Sequence, residues 1–257
     1  MTSVVTILAC AWGLLCHRPL AIARGLFPWL LVAAALALLG RNPELRVVAN
    51  LVTVFGFAFC ISLFASTYAG IAYPDHARPK NIVDELKVAG IALWKTILVI
   101  VVLAVSAKAV LGIDLWSRTH EISLVVLILC LSFFVAESHL KETISLRRLA
   151  AAFAAMPLTM VTILGLALVW ALGIELALDE LNWAHKATLA DPDVPAAVHK
   201  ASTMFYVVAA AALTYLRIGG AVALFVALHA FWRQQKIPPH AWLGQRSDQP
   251  LPRLAGE

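Results

Sequence analysis

The chain has 257 residues, of which 61% are hydrophobic and only 14% charged, and its mean hydropathy is +0.85. Soluble domains carry roughly a quarter charged residues, so this composition excludes an ordinary soluble enzyme, a disordered chain and a nucleic-acid-binding module. The net charge is +5. The basic residues lie in short segments between apolar runs, where they bias orientation in a membrane.

The pattern predicts an all-α polytopic membrane protein: an N-terminal interfacial helix followed by six transmembrane helices. Residues 4–16 are apolar but too short to span, and Pro19 follows closely. Val4, Ile7, Leu8, Ala11, Trp12 and Leu15 fall on one helical face, which suits a helix lying on the cytoplasmic leaflet. The alternative is that this stretch joins the first span as a helical hairpin. No positive charge precedes it, since Arg18 and Arg24 come after the apolar stretch, so it reads as a retained segment and not as a signal peptide.

A span needs about 20 apolar residues. Six runs qualify, at about 25–40, 47–73, 88–113, 122–140, 156–178 and 204–232. Together with the first helix they make a membrane domain over residues 1–232. Residues 233–257 hold Pro238, Pro239, Pro250 and Pro252 and little apolar content, so they read as an extended cytoplasmic tail. Residues 179–203 are expected to form the longest external loop, with one short helix around 195–202.

With the N-terminus inside, twelve basic residues fall on the cytoplasmic side: Arg18, Arg24, Arg78, Lys80, Lys87, Lys141, Arg147, Arg148, Arg233, Lys236, Arg246 and Arg253. Five (Arg41, Arg46, Arg118, Lys186 and Lys200) fall on the other. That bias places both termini in the cytoplasm. Trp29, Trp94, Trp116, Trp170 and Trp232 are expected near span ends, where an amphipathic ring is favoured.

Two segments prepare the chain for membrane entry on the cytoplasmic side. Asn81 can cap a helix whose first turn holds Asp84 and Glu85, and this helix is expected to run along the surface before turning into the third span. Thr143 or Ser145 can cap the matching stretch before the fifth span, where Pro157 kinks or restarts the helix. The cations of these segments, Arg78, Lys80, Lys87, Arg147 and Arg148, are candidate contacts for lipid headgroups.

Arg217 stands apart. It is the fourteenth residue of a 29-residue apolar run, roughly 20 Å from either end. An arginine at such depth costs about 2.5–3.5 kcal/mol on insertion scales, so it must face the bundle interior, a partner or water. Glu175, Glu137, Tyr68 and Thr67 are candidate partners; a bound anion and a subunit contact are the alternatives. The glycines Gly219-Gly220 permit a close contact, or a helix break that would leave Arg217 at the end of a half-helix. Lys95 and Glu137 lie near cytoplasmic span ends, and Lys108 and Glu175 near outer ends, all within snorkelling reach of the interface. Arg217, Lys108, Glu137 and Glu175 are therefore the candidate ligand or ion-pair residues.

Small residues at Ala65, Ser66, Ala69 and Gly70, and at Ala209, Ala212 and Gly219, mark surfaces for close helix approach. Cys10, Cys16, Cys60 and Cys130 lie in or beside apolar runs and read as small buried hydrophobes. The eight histidines show no metal-ligand spacing, and Glu137, His139 and Glu142 do not share one helix face. No catalytic motif appears, so no metal or cofactor is expected.

Four features resemble a known group of proteins: the start Ala11-Trp12-Gly13-Leu14-Leu15, the small-residue second span ending near Tyr68 and Tyr73, the two basic amphipathic segments, and the close Leu228-His229-Ala230-Phe231-Trp232-Arg233. In these the chain resembles six-helix bacterial inner-membrane proteins related to the membrane domain of glycerophosphodiester phosphodiesterases. The resemblance implies a bacterial inner membrane and no known activity, and the catalytic domain of those enzymes has no counterpart in the sequence. The function expected is a non-catalytic assembly or accessory subunit of a larger membrane complex, with lipids and other membrane subunits or further copies of itself as partners. The alternative is a transporter or lipid-binding protein that holds an anionic group at Arg217.

Overall fold

The computed structural model describes residues 2–17, 46–73, 81–111, 120–140, 144–191 and 193–233. The predicted span at 25–40 and the tail beyond Arg233 lie outside these residues. Seven helices and no strand occur among them: α1 (Thr2–Cys16), α2 (Arg46–Ala72), α3 (Ile82–Leu111), α4 (His120–His139), α5 (Leu146–Ala155), α6 (Pro157–Ala190) and α7 (Ala196–Trp232). Four of them contain segments long and apolar enough to cross a membrane: Val83–Leu103, Ile122–His139, Pro157–Ala190 and Ala196–Trp232.

Local chemistry sets the helix limits. Asn81 caps α3, its Oδ1 accepting from the backbone N–H of Asp84 at 2.9 Å. Asp84 and Glu85 then occupy the first turn and Lys108 the last, in the sense the helix dipole favours. α5 stops at Ala155 because Met156 precedes proline and leaves the helical region. Pro157 restarts the chain as the first residue of α6. Inside the helices Ser62, Thr96 and Thr162 donate to the carbonyls of Ala58, Ala92 and Leu158, so their hydroxyls are satisfied without leaving their own helix.

The C-terminal half of α7 is the axis of the bundle. Ile218 and residues 221–230 are buried, and α7 packs against α1, α2, α4 and α6. α4 lies against α2, α3 and α7. Its Leu131, Phe133, Phe134 and Val135 are almost wholly enclosed. α3 and α6 line the outside, and each leaves most of its apolar surface exposed, for example Trp94, Val102 and Val105 on α3 and Leu158, Val161 and Val169 on α6.

Several expectations are corrected. α1 packs against α6 and α7, and the face it buries differs from the one expected. Ile7, Cys10, Ala11, Leu14 and Leu15 are buried, while Leu8 and Trp12, expected on the same face, are exposed. The Tyr215 hydroxyl donates to the Leu15 carbonyl, 3.4 Å away. The residues expected as a long external loop are mostly helix: α6 continues to Ala190 and α7 begins at Ala196. With 34 and 37 residues these helices are about 51 and 55 Å long, well beyond the ~30 Å of a hydrocarbon core. Their far ends are joined by a His185–Ser202 hydrogen bond of 3.1 Å and by His185 stacked on Tyr206. α3 runs unbroken from Ile82 to Leu111, so the residues expected as a separate surface helix are its first turns. Trp170 lies in the interior of α6.

α7 also does not break at Gly219-Gly220. The glycines serve close packing. Trp170 donates its Nε1–H to the Leu216 carbonyl at 3.0 Å, and a Cβ on Gly220 would lie 2.8 Å from that nitrogen. A Cβ on Gly219 would meet Tyr68, Leu15 and Phe64 at ordinary distances, the nearest 3.4 Å. Gly220→Ala is therefore expected to displace the indole and destabilise the α6–α7 pair by about 1–3 kcal/mol. Gly219→Ala is expected to be neutral or stabilising, because alanine gains about 0.8–1 kcal/mol of helix propensity. Thermal unfolding of the two variants in detergent checks the order.

Candidate functional site

The end of the bundle where α2, α4 and α7 finish holds a polar network built around a buried carboxylate. Glu137, in the last turn of α4, and His229, in the last turn of α7, are each 0% exposed. His229 Nε2 lies 2.8 Å from Glu137 Oε1, and His229 Nδ1 lies 2.5 Å from the hydroxyl of Tyr73, the residue after α2. The chain of bonds is complete for a neutral imidazole: Nε2–H donates to the carboxylate and Tyr73 O–H donates to Nδ1. Arg148, at the start of α5, donates from Nη1 to the other carboxylate oxygen at 2.6 Å. Arg233 Nε stands 4.0 Å from Glu137 Oε1.

Aromatic rings wall off this network. Phe133 meets the His229 ring edge-on at 4.6 Å, and Tyr73 meets it edge-on at 5.7 Å. Trp232 packs on Phe133, and the Arg233 guanidinium lies over Trp232 at 5.6 Å. A carboxylate so enclosed is tolerable only with its partners in place. The network ties together the ends of α2, α4 and α7 and the first turn of α5. Tyr73, His229 and Glu137 are all buried; Arg148 neutralises the carboxylate, and His229 and Tyr73 complete the hydrogen bonding around it.

A second pair lies further along the bundle. Arg217 of α7 forms an ion pair with Glu175 of α6. The antiparallel register that sets Trp170 against Leu216 and His185 against Ser202 also brings Glu175 opposite Arg217. Of the four candidate partners named for Arg217, Glu175 is the one found; Glu137 belongs to the first network. The side chain of Arg217 is 14% exposed and that of Glu175 38%.

A third contact joins α2 and α4: Ser66 Oγ lies 3.1 Å from His139 Nε2. Glu137 and His139, two residues apart, thus serve different neighbours.

The other sequence candidates separate. Lys108 is exposed in the last turn of α3. Lys87 is exposed and 3.8 Å from Asp84. Arg147 is exposed. Arg148, grouped with it as a headgroup contact, turns inward to Glu137. Arg78 and Lys80 lie outside the described residues. Lys95, expected to snorkel, donates to the Ile144 carbonyl just before α5. The predicted small-residue face of α2 is consumed within the chain, with Ala65, Ser66, Ala69 and Gly70 all buried. Sequence reasoning misses Tyr73, His229 and Arg233. The signal present in the chain is a histidine set in an otherwise apolar run one turn before an arginine. Among the described residues no group of three or more His, Cys, Asp or Glu could hold a metal ion.

In comparisons with known proteins, no family model, no curated protein and no solved structure matches this chain.

The buried charges make the energetic roles measurable. Glu137→Leu leaves the Arg148 guanidinium without its counter-ion and the His229 Nε2–H without its acceptor, and is expected to cost about 3–5 kcal/mol. Tyr73→Phe removes one donor from a buried nitrogen and is expected to cost about 1–3 kcal/mol. Denaturant titration in mixed micelles measures both. For the second pair, Glu175→Leu strands the more buried partner, so it is expected to destabilise more than Arg217→Leu. The double variant is expected to be more stable than Glu175→Leu alone, and a double-mutant cycle reads the coupling.

Proposed function

We propose that this chain is a six-span integral protein of a bacterial inner membrane, with both termini in the cytoplasm, that acts as a non-catalytic subunit of a larger membrane assembly. The observation that carries this reading is the internal use of the deepest cation. Glu175 supplies the negative charge that an anionic ligand would otherwise bring to Arg217. The pair therefore supports an architectural role, holding α6 to α7, over an anion site. The Glu137 network does the same work at the other end of α7.

The outward faces favour the same reading. On α3, Trp94, Leu98, Val101 and Val105 recur at helical spacing and are exposed. Such a stripe suits lipid or the helix of a neighbouring subunit, and the subunit role assigns it the neighbour. The positive-inside bias and the exposed Lys87 and Arg147 support the orientation, with headgroups of the cytoplasmic leaflet around them.

Purification in mild detergent with mass determination by light scattering tests the role. A stoichiometric complex heavier than the 27.8 kDa chain is expected. Val101→Trp, which alters the stripe without touching the buried networks, is expected to release this chain as a folded monomer. A monomer before and after the substitution would contradict the subunit role. Cysteine labelling that puts the two termini on opposite sides would contradict the topology.

A further inference from the structure

α1 and α6 both pack on α7 but touch each other little. A groove of about 490 Å³ is left between them. Leu8 and Trp12 of α1 form one wall, Leu166 and Val169 of α6 the other, and Gly220 and Leu224 of α7 the floor. Gly220 and Gly173 carry no side chain that could fill it. The Trp170 indole also lines the groove, with its N–H donated to the Leu216 carbonyl. The lining holds no charged side chain and no hydroxyl, so an occupant is held by apolar contact.

Size separates the possible occupants. From Leu166 to Ile174 the groove follows about 12 Å of α6. A helix with its side chains is about 10 Å across and needs roughly 900 Å³ over that length, well above the volume present. An extended hydrocarbon chain, one methylene wide, fits. The lining helices α6 and α7 are among those long and apolar enough to cross a membrane, so the hydrocarbon at hand is that of a lipid. The end of the groove selects the headgroup. Arg217 lies one turn before Gly220 on the same face of α7, and its ion-pair partner Glu175 directly follows Ile174. The pair is partly open, Glu175 being 38% exposed. It stands about 22 Å from the Trp232 end of α7, within snorkelling reach of the far side of a ~30 Å hydrocarbon layer. The pair is neutral as a whole and presents both signs. An anionic headgroup meets a guanidinium that is already compensated. A zwitterionic one sets phosphate beside Arg217 and ammonium beside Glu175. We propose, on the membrane reading alone and independently of the subunit role, that the groove between α1, α6 and α7 binds one acyl chain of a zwitterionic phospholipid whose headgroup lies at the Arg217–Glu175 pair.

Native mass spectrometry tests the site. The full chain is reconstituted with equal amounts of phosphatidylethanolamine and anionic phosphatidylglycerol and released from mild detergent. One phosphatidylethanolamine per chain is expected, in several-fold excess over phosphatidylglycerol. A Cβ on Gly173 meets nothing within 4 Å, so Gly173→Trp has room to place its ring in the groove and is expected to lower bound phosphatidylethanolamine several-fold. Gly165 is equally open but does not line the groove, so Gly165→Trp is expected to keep the lipid. A wild-type chain without bound phospholipid, or one that prefers phosphatidylglycerol, overturns the proposal even if a variant fails to fold. Equal retention by the wild-type chain and a folded Gly173→Trp also overturns it. The lipid is counted per chain, so these outcomes do not depend on whether the chain purifies alone or in a complex.

Discussion

A polar group removed from water must find its partners inside the protein, and that constraint organises this structure. Glu137 is the clearest case. Fully enclosed, its carboxylate holds together an imidazole from α7, a guanidinium from α5 and, through His229, the hydroxyl that follows α2. Each partner comes from a different helix. The demand of one buried charge is thereby converted into the mutual positions of four helix ends. Arg217 and Glu175 repeat the principle with two helices. In hydrocarbon the demand is stricter still, since no solvent can substitute for a missing partner.

Close packing supplies the rest. α7 can be the axis because small residues let neighbours approach it. Gly220 admits the Trp170 indole, and Gly219 admits Leu15, Phe64 and Tyr68. Apolar association between helices is weak in lipid, where tails are as apolar as leucine side chains, so contact area and specific polar pairs must carry specificity. The peripheral helices α3 and α6 contribute only one side to this core and turn long apolar faces outward. That division, polar locks within and apolar surface without, underlies the proposed role as a subunit.

Part of this architecture is legible in the residues alone. The helical class and the approximate positions of the long apolar helices follow from hydropathy, because run length decides whether a helix can cross a bilayer. The Asn81 cap and the restart at Pro157 follow from local backbone chemistry, which acts within a few residues. The depth of Arg217 is legible too, with Glu175 among its candidate partners. The choice of Glu175 is not legible, since it depends on the register of two long helices. The face of α1 that meets the bundle is not legible, since it is centred on Ile7, Ala11 and Leu14 and leaves out Leu8 and Trp12 of the face read from spacing. Residues 179–203 read as a loop because their charges resemble a loop, although α6 continues through them to Ala190 and α7 begins at Ala196.

The order of residues along the chain is enough to set the helical class and the approximate positions of the long apolar helices, because transfer energies and backbone propensities are sums over neighbouring residues. It is not enough to show that Tyr73, Glu137, Arg148 and His229 share one site. These residues are spread from position 73 to position 229, and no local rule relates them. They meet because each helix end arrives with one polar group it cannot leave unpaired, and only the packed bundle brings those ends to the same point.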